Sequence, residues 1–251
     1  MFFKLIACNV FFREVCAEAA QSSHVFDLEF TEKGDHDEPK ALRASLQEKI
    51  DAAADSGKKY DAVLLAYGLC GNALAGITGR TARLVIPRAH DCCTIFLGSK
   101  RRFAQYFRDN PSRPFSAAGY KERGDSSART SDVQRMLGLK TSYEEYVALY
   151  GEENARYLME TLAPAKDTGK ESEIFYIEMP ETAFLGFAEK CREEARAEGK
   201  TFTCVEGDRR LIRGLLRPED GWNNDEFLVL EPGEKIMAVY DWEEIIRAGK
   251  E

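Results

Sequence analysis

The sequence lacks any apolar run that approaches the roughly 18 to 20 residues needed to cross a bilayer. It also lacks a secretory leader. The segment Leu5-Ile6-Ala7-Cys8 resembles a lipoprotein cleavage site, but only seven residues precede the cysteine. A signal needs a basic region and an apolar core of about 7 to 15 residues before cleavage. These absences predict a cytoplasmic protein with no membrane partner.

Excess positive charge is missing as well. The 35 basic and 43 acidic residues give a net charge of −8, and the two signs are interspersed along the chain. A nucleic-acid partner is therefore not expected. Repeats and low-complexity segments are absent, only 8 prolines occur, and 44% of the 251 residues are hydrophobic. This composition predicts a folded chain with a substantial core.

No C-x-x-C pair and no H-E-x-x-H motif is present among the seven cysteines and three histidines. In a reducing compartment, cysteines serve as buried hydrophobes, metal ligands or nucleophiles rather than disulfides. Cys16, Cys191 and Cys204 lie inside predicted helices or strands. For these three, burial is the expected role.

Short β-rich runs alternate with amphipathic segments in most of the chain. Strands are predicted at 2–7, 25–31, 61–67 and 83–87, with a helix from about Thr94 to Arg108 after the last of them. This order predicts an α/β fold with a mostly parallel, Rossmann-like sheet and helices on both faces.

The domain organisation predicted from this pattern is a single α/β domain over residues 1–251, or two lobes. The lobes would span 1–110 and 171–251, since strand and helix alternate again in the second range. Between them, residues 111–170 read as a largely helical insertion near the mouth of the site. In that insertion, Tyr120 and Glu122 are candidates to line the site from above.

Sulfur and nitrogen donors follow four of the predicted strands, and these donors are Cys8, His36, Cys70, His90 and Cys92. The carboxyl ends of parallel strands meet at one edge of a sheet, where open α/β folds place their sites. Cys70 stands between Gly68 and Gly71, which let a ligand approach the backbone closely. The sequence therefore predicts a site at this edge.

Two chemistries fit these residues. As metal ligands, Cys8, Cys70 and Cys92, with His36 or His90, suit zinc or iron, and three protein ligands would leave one position open. Alternatively, the helix that begins near Cys92 lowers a thiol pKa, with help from Arg88, and the cysteine acts as a nucleophile with His90 or Asp91 as its base. The residues leave both alternatives open.

A cluster of polar and basic residues follows at Ser99, Lys100, Arg101 and Arg102. It is either an anion site for a phosphate or carboxylate, or a solvated helix face.

Several segments together resemble the uncharacterised prokaryotic family known as domain of unknown function 1638. They include LLAYGLCGN, VIPRAHDCCTIFLGSKRRF, YGEENARYLME and FLVLEPGEKI. The resemblance implies an association with corrinoid-dependent methyltransferases and their corrinoid proteins. It also implies the motif residues Cys8, His36, Cys70, Gly71, Asn72, Arg88, His90, Asp91, Cys92, Gly98 and Ser99. Cys93 and Asp37 depart from the family pattern, so Cys93 is the weakest candidate ligand.

The leading functional hypothesis is a metal-binding protein, an enzyme or an accessory factor in methylated-compound metabolism. It would hold zinc or iron, with an iron–sulfur cluster as an alternative. Its partners would be a small-molecule substrate and a corrinoid protein or methyltransferase. The predicted residues are metal ligands Cys8, Cys70, Cys92 and His36; catalytic His90 and Asp91; and cofactor-binding Gly68, Gly71, Asn72, Arg88 and Ser99. The alternatives are a metal-free thiol enzyme, racemase- or transferase-like, and a non-catalytic partner of a corrinoid protein.

Overall fold

A computed structural model describes residues 1–31, 39–110, 113–124, 173–219, 221–222, 225–239 and 241–250. Its main sheet has five strands in the order β2-β1-β3-β4-β8. The first four are parallel, and β8 runs antiparallel to β4. The predicted α/β fold with a mostly parallel sheet is confirmed. The strands are β1 (Phe2–Cys8), β2 (Val25–Thr31), β3 (Ala62–Ala66), β4 (Arg83–Pro87) and β8 (Phe227–Leu230).

Helices lie on both faces of this sheet. Consecutive strand residues point to opposite faces, and in β2 Glu29 forms an ion pair of 2.6 Å with Lys49. The next residue, Phe30, instead packs against Phe12 with ring centroids 5.0 Å apart. The helices that carry Lys49 and Phe12 are α2 (Pro39–Asp55) and α1 (Phe12–Ala20). They therefore cover opposite faces.

The helix expected from Thr94 to Arg108 is two helices, so that prediction was wrong. They are α3 (Cys92–Leu97) and α4 (Lys100–Phe107). Gly98 ends α3 in the left-handed conformation, at φ 77°. The Ser99 hydroxyl then accepts the Arg102 N–H and caps α4.

A second, smaller sheet has three parallel strands in the order β5-β6-β7. They are β5 (Ser116–Ala117), β6 (Glu173–Glu178) and β7 (Thr201–Glu206). Its helices are α5 (Ala118–Lys121) and α6 (Phe187–Ala197). Residues 116–121 thus belong to this sheet and its first helix rather than to a helical insertion. Most of the predicted insertion, 125–170, lies outside the described residues.

The chain then returns to the main sheet through α7 (Arg210–Leu216), which packs against α1, β3 and β4. A two-stranded antiparallel ribbon of β9 (Glu234–Ala238) and β10 (Ile246–Lys250) completes the described fold. In these ranges, no helix has both the length and the apolar content that a membrane crossing requires.

Candidate thiol site

Three cysteines come from the carboxyl ends of three adjacent strands. Cys8 is the last residue of β1, Cys70 follows β3, and Cys92 begins α3 just after β4. Because β1, β3 and β4 are parallel neighbours, their ends lie side by side. The Sγ atoms of Cys70 and Cys92 are 3.9 Å apart, and the Cys8 thiol hydrogen-bonds with Cys92. The structure therefore brings all three thiols together.

A close approach of two backbone segments sets this geometry. A Cβ atom on Gly68 would lie 2.5 Å from the Asp91 Cα, so only glycine fits there. Beside this contact, the Leu69 N–H donates to the Ala89 carbonyl at 2.8 Å, and the Cys70 N–H donates to the His90 carbonyl at 3.0 Å. These contacts hold the segment of Cys70 against the segment of Cys92.

The chain turns through three consecutive left-handed residues at the site. Cys70, Gly71 and Asn72 have φ angles of 45°, 63° and 68°. This conformation is costly for the two residues that carry a side chain. The Arg43 guanidinium supports the turn by donating to the Asn72 carbonyl at 2.7 Å. The structure thus gives Gly68, Gly71 and Asn72 backbone roles, while their predicted contact with a cofactor stays a prediction.

Two buried tyrosines complete the surroundings of the thiols. The Tyr67 hydroxyl forms a short hydrogen bond with the Thr31 hydroxyl. Tyr120 reaches the site from α5 and hydrogen-bonds with Cys92. The neighbouring residue, Gly119, fixes the position of Tyr120, because a Cβ atom on Gly119 would lie 1.8 Å from the Val10 carbonyl oxygen.

The sequence pointed to Tyr120 but missed Tyr67 and Thr31. The signal available for these two was their position at the ends of β3 and β2, at the same edge of the sheet as the cysteines.

The electrostatics of the cluster differ from the sequence-based expectation. Hydrogen bonding to Cys70 and Cys8, followed by burial, raises the pKa of Cys92 well above its ordinary value. Burial likewise raises the pKa of Cys93. The direction is thus opposite to the expected lowering by the helix terminus, since contact with the neighbouring thiols and the loss of water both raise the pKa of Cys92.

The phenols respond to the same surroundings. Burial, together with the nearby cysteines, raises the pKa values of Tyr67 and Tyr120. The Cys92 thiol and the two phenols therefore favour their protonated forms.

The residues predicted to be catalytic contact other parts of the molecule. The His90 ring stacks on Phe103 and meets Trp242 edge-on, with centroids 5.0 Å apart in both cases. The Asp91 carboxylate caps α3 by accepting the Thr94 N–H at 3.2 Å. Catalysis by His90 and Asp91 stays a prediction.

His36 lies outside the described residues. The described residues on either side of its segment, Thr31 and Pro39, both lie near the thiol site. Thr31 bonds to Tyr67, and Pro39 is 3.7 Å from where a Cβ atom on Gly71 would stand.

Arg88 and Ser99 line a separate open cavity of about 800 Å³, to which no cysteine contributes. The Arg88 guanidinium donates to the carbonyl oxygens of Glu244 and Ile246, and burial lowers its pKa. Ser99 caps α4. Lys100 and Arg101 lie on the same cavity wall. The expected help from Arg88 to a cysteine stays a prediction.

The model of the family described as "Protein of unknown function (DUF1638)" matches residues 30–216. The chain belongs to the DUF1638 family. The matched range includes Cys70 and Cys92 and begins after Cys8. No curated protein and no solved structure matches the chain. The role of this DUF1638 protein must therefore be argued from its site.

The donor set of this DUF1638 protein suits a soft metal ion. Zinc–sulfur bonds of about 2.3 Å in tetrahedral geometry place two sulfurs about 3.8 Å apart, close to the 3.9 Å between Cys70 and Cys92. Within the described residues, no group of three or more His, Cys, Asp or Glu side chains is already arranged to hold a metal ion. The fit therefore rests on the Cys70 and Cys92 pair and on the contact of Cys8 with Cys92.

Proposed function

We propose that this DUF1638 protein binds zinc or iron through Cys8, Cys70 and Cys92 at the carboxyl edge of its main sheet. The observation that carries the proposal is the contact between three thiols, two of them on buried residues, Cys8 and Cys92. Contact with the other two thiols and burial disfavour the Cys92 thiolate in the metal-free protein. A divalent cation reverses this preference, because its charge keeps bound thiols deprotonated.

The three cysteines would hold the metal, and three protein ligands would leave a coordination position for another group. His36 is a candidate for that position and stays a prediction, as does an iron–sulfur cluster. When bound, the metal would keep sulfur nucleophiles ionised at neutral pH and act as a Lewis acid. In the protein itself, the buried phenols of Tyr67 and Tyr120 would exclude water from the sulfurs and supply hydrogen bonds to them.

We further propose that the chain acts in the cytoplasm as an enzyme or accessory factor of corrinoid-linked one-carbon metabolism. A metal-bound thiolate suits methyl transfer between sulfur and a corrinoid or small-molecule substrate. The family resemblance supports a corrinoid protein or a methyltransferase as its partner. The three thiols at the carboxyl end of a parallel sheet are the structural support for this chemistry.

A metal-free thiol enzyme has less support. Such an enzyme needs a cysteine with a lowered pKa and a base that contacts it. In this structure the pKa of Cys92 is raised rather than lowered.

Reconstitution with cobalt(II) tests the metal proposal. Cobalt(II) bound to thiolates gives sulfur-to-metal charge-transfer absorption whose intensity rises with the number of sulfurs. We expect one cobalt per chain, with the band reduced in Cys8→Ala, Cys70→Ala and Cys92→Ala. Cys93→Ala is the matched control, since its thiol is equally buried, and should retain the band. A Cys70→Ala/Cys92→Ala protein with an undiminished band would contradict the proposal.

A further inference from the structure

The three clustered thiols differ in how well solvent reaches them. Cys8 is fully buried and Cys92 is 3% exposed, whereas Cys70 is only partly buried. Cys70 begins the left-handed turn at 70–72, and its next two residues, Gly71 and Asn72, are exposed. A small molecule in solvent therefore meets the cluster through Cys70.

We propose that Cys70 is a modification site, oxidised by a low-molecular-weight disulfide such as oxidised glutathione and resolved by Cys92. Cys70 sulfur attacks the small disulfide and forms a mixed disulfide. One small thiol leaves and takes up the proton that Cys70 loses. Cys92 sulfur then attacks the Cys70 sulfur, and a second small thiol leaves with the Cys92 proton. The two cysteines lose two electrons in total, and the small disulfide gains them.

The geometry favours the second step. The two sulfurs are 3.9 Å apart, and a disulfide bond is about 2.05 Å long. The remaining movement of about 2 Å is within the reach of a side-chain rotation at Cys70. Cys8 contacts Cys92, but its burial keeps it from meeting the reagent first.

The consequence rests on the proposed function. A Cys70–Cys92 disulfide removes two of the three proposed metal ligands at once. Oxidation would therefore release the metal, and a bound metal would shield both sulfurs from oxidation. The cluster would bind metal only under reducing conditions.

Mass spectrometry of the full chain tests the modification. The parent protein is Cys16→Ala/Cys204→Ala, which removes the partly buried Cys16 thiol and the exposed Cys204 thiol outside the cluster. Metal-free protein treated with oxidised glutathione should lose two hydrogens and yield a peptide pair crosslinked between Cys70 and Cys92. Cys92→Ala should stop at one glutathione on Cys70, and Cys70→Ala should leave Cys92 unmodified. Cys93→Ala is the control and should behave as its parent.

Two results would overturn the inference. In the first, glutathione accumulates on Cys70 of the parent protein and no crosslink forms. In the second, Cys70→Ala forms a crosslink between Cys8 and Cys92 at the rate of the parent protein. Loading the protein with zinc before oxidation distinguishes the modification proposal from the metal proposal. If zinc slows crosslinking about tenfold or more, both proposals are supported. A crosslink that forms equally fast with zinc present contradicts metal binding by these sulfurs and leaves the modification site intact.

Discussion

Two buried acidic clusters in this molecule are neutralised in different ways. Glu18 of α1 is fully buried, and its carboxylate pairs with Arg209, Arg213 and Arg217 at 3.3, 3.5 and 2.6 Å. The arginines recur every fourth residue, so they lie on one side of the α7 segment. The fold thus places three cations around one buried carboxylate.

The thiol cluster has no comparable arrangement in the described structure. The groups that act most strongly on Cys92 are Cys70, Cys8 and burial itself, and each of them raises its pKa. No lysine or arginine is among them. The buried carboxylate thus meets three cations, whereas Cys92 meets other thiols. Under the proposed function, a metal ion would supply the positive charge that stabilises the thiolates.

Removing the anion from the arginine cluster should have the largest effect on stability. Glu18→Ala leaves three guanidinium groups close together and should lower the free energy of unfolding by about 3 to 4 kcal/mol. Urea denaturation measures this loss. Glu189→Ala breaks an exposed pair with Arg192 and should change stability by no more than about 0.5 kcal/mol. Equal losses of unfolding free energy in Glu18→Ala and Glu189→Ala would show that burial does not strengthen the Glu18 ion pairs.

Glu14 and Glu18 allow two buried carboxylates to be compared within one helix, α1. Glu14 lies one turn before Glu18, is 3% exposed, and its carboxylate oxygens accept no hydrogen bond from another described residue. Burial is the main cause that raises its pKa from 4.5 to about 7, with Glu122 and Glu181 adding to the rise and Arg209 opposing it.

The sign of the resulting pH dependence follows from this shift. Because the folded-state pKa is raised, the stabilisation from protonated Glu14 is complete below pH 4.5 and is lost as the pH rises through about 7. Relative to Glu14→Gln, the natural protein should lose roughly 3 kcal/mol over that window. Urea denaturation of both proteins across this pH range measures it. A constant stability difference between them would contradict the raised pKa.

Zinc should stabilise the protein through the thiol region by slightly less than the change expected for Glu14. With free zinc at 100 times its dissociation constant, the free energy of unfolding should rise by about 2.7 kcal/mol. Denaturation with and without zinc measures this gain. Cys93→Ala should keep it and Cys70→Ala should lose most of it. A gain that survives in Cys70→Ala would place the zinc elsewhere.

The smallest effect is expected for the Tyr120 hydroxyl. Tyr120→Phe keeps the buried ring and removes the hydrogen bond with Cys92, so it should cost about 1 kcal/mol of stability. Chemical denaturation of the metal-free protein checks this value. Complete loss of folding would instead show that the hydroxyl holds α5 in place.

The convergence of the cysteines followed from sequence because it depends on strand order and direction alone. Apolar runs predicted β1, β3 and β4, and parallel pairing put Cys8, Cys70 and Cys92 at one edge. The break at Gly98 was missed, because an apolar pattern continues across it while a left-handed glycine and the Ser99 cap end one helix and start the next.

The electrostatics could not be predicted from sequence. A helix terminus near Cys92 suggested a lowered pKa, but the outcome depends on burial and on neighbours 22 and 84 positions away in the chain. Tyr120 could only be suggested, since its position depends on the close contact of Gly119 with Val10. Long-range packing decides such features, and local patterns do not contain it.

Calorimetric titration of zinc into the reduced protein tests the central claim most directly. Repeating the titration at neutral pH in buffers with different ionisation enthalpies counts the protons released per metal bound. Because the ordinary pKa of a thiol is about 8.5, and contact with Cys70 and Cys8 raises the pKa of Cys92 further, we predict one zinc per chain and the release of about three protons, one from each thiol. No zinc uptake, or uptake without proton release, would contradict a metal site made of Cys8, Cys70 and Cys92.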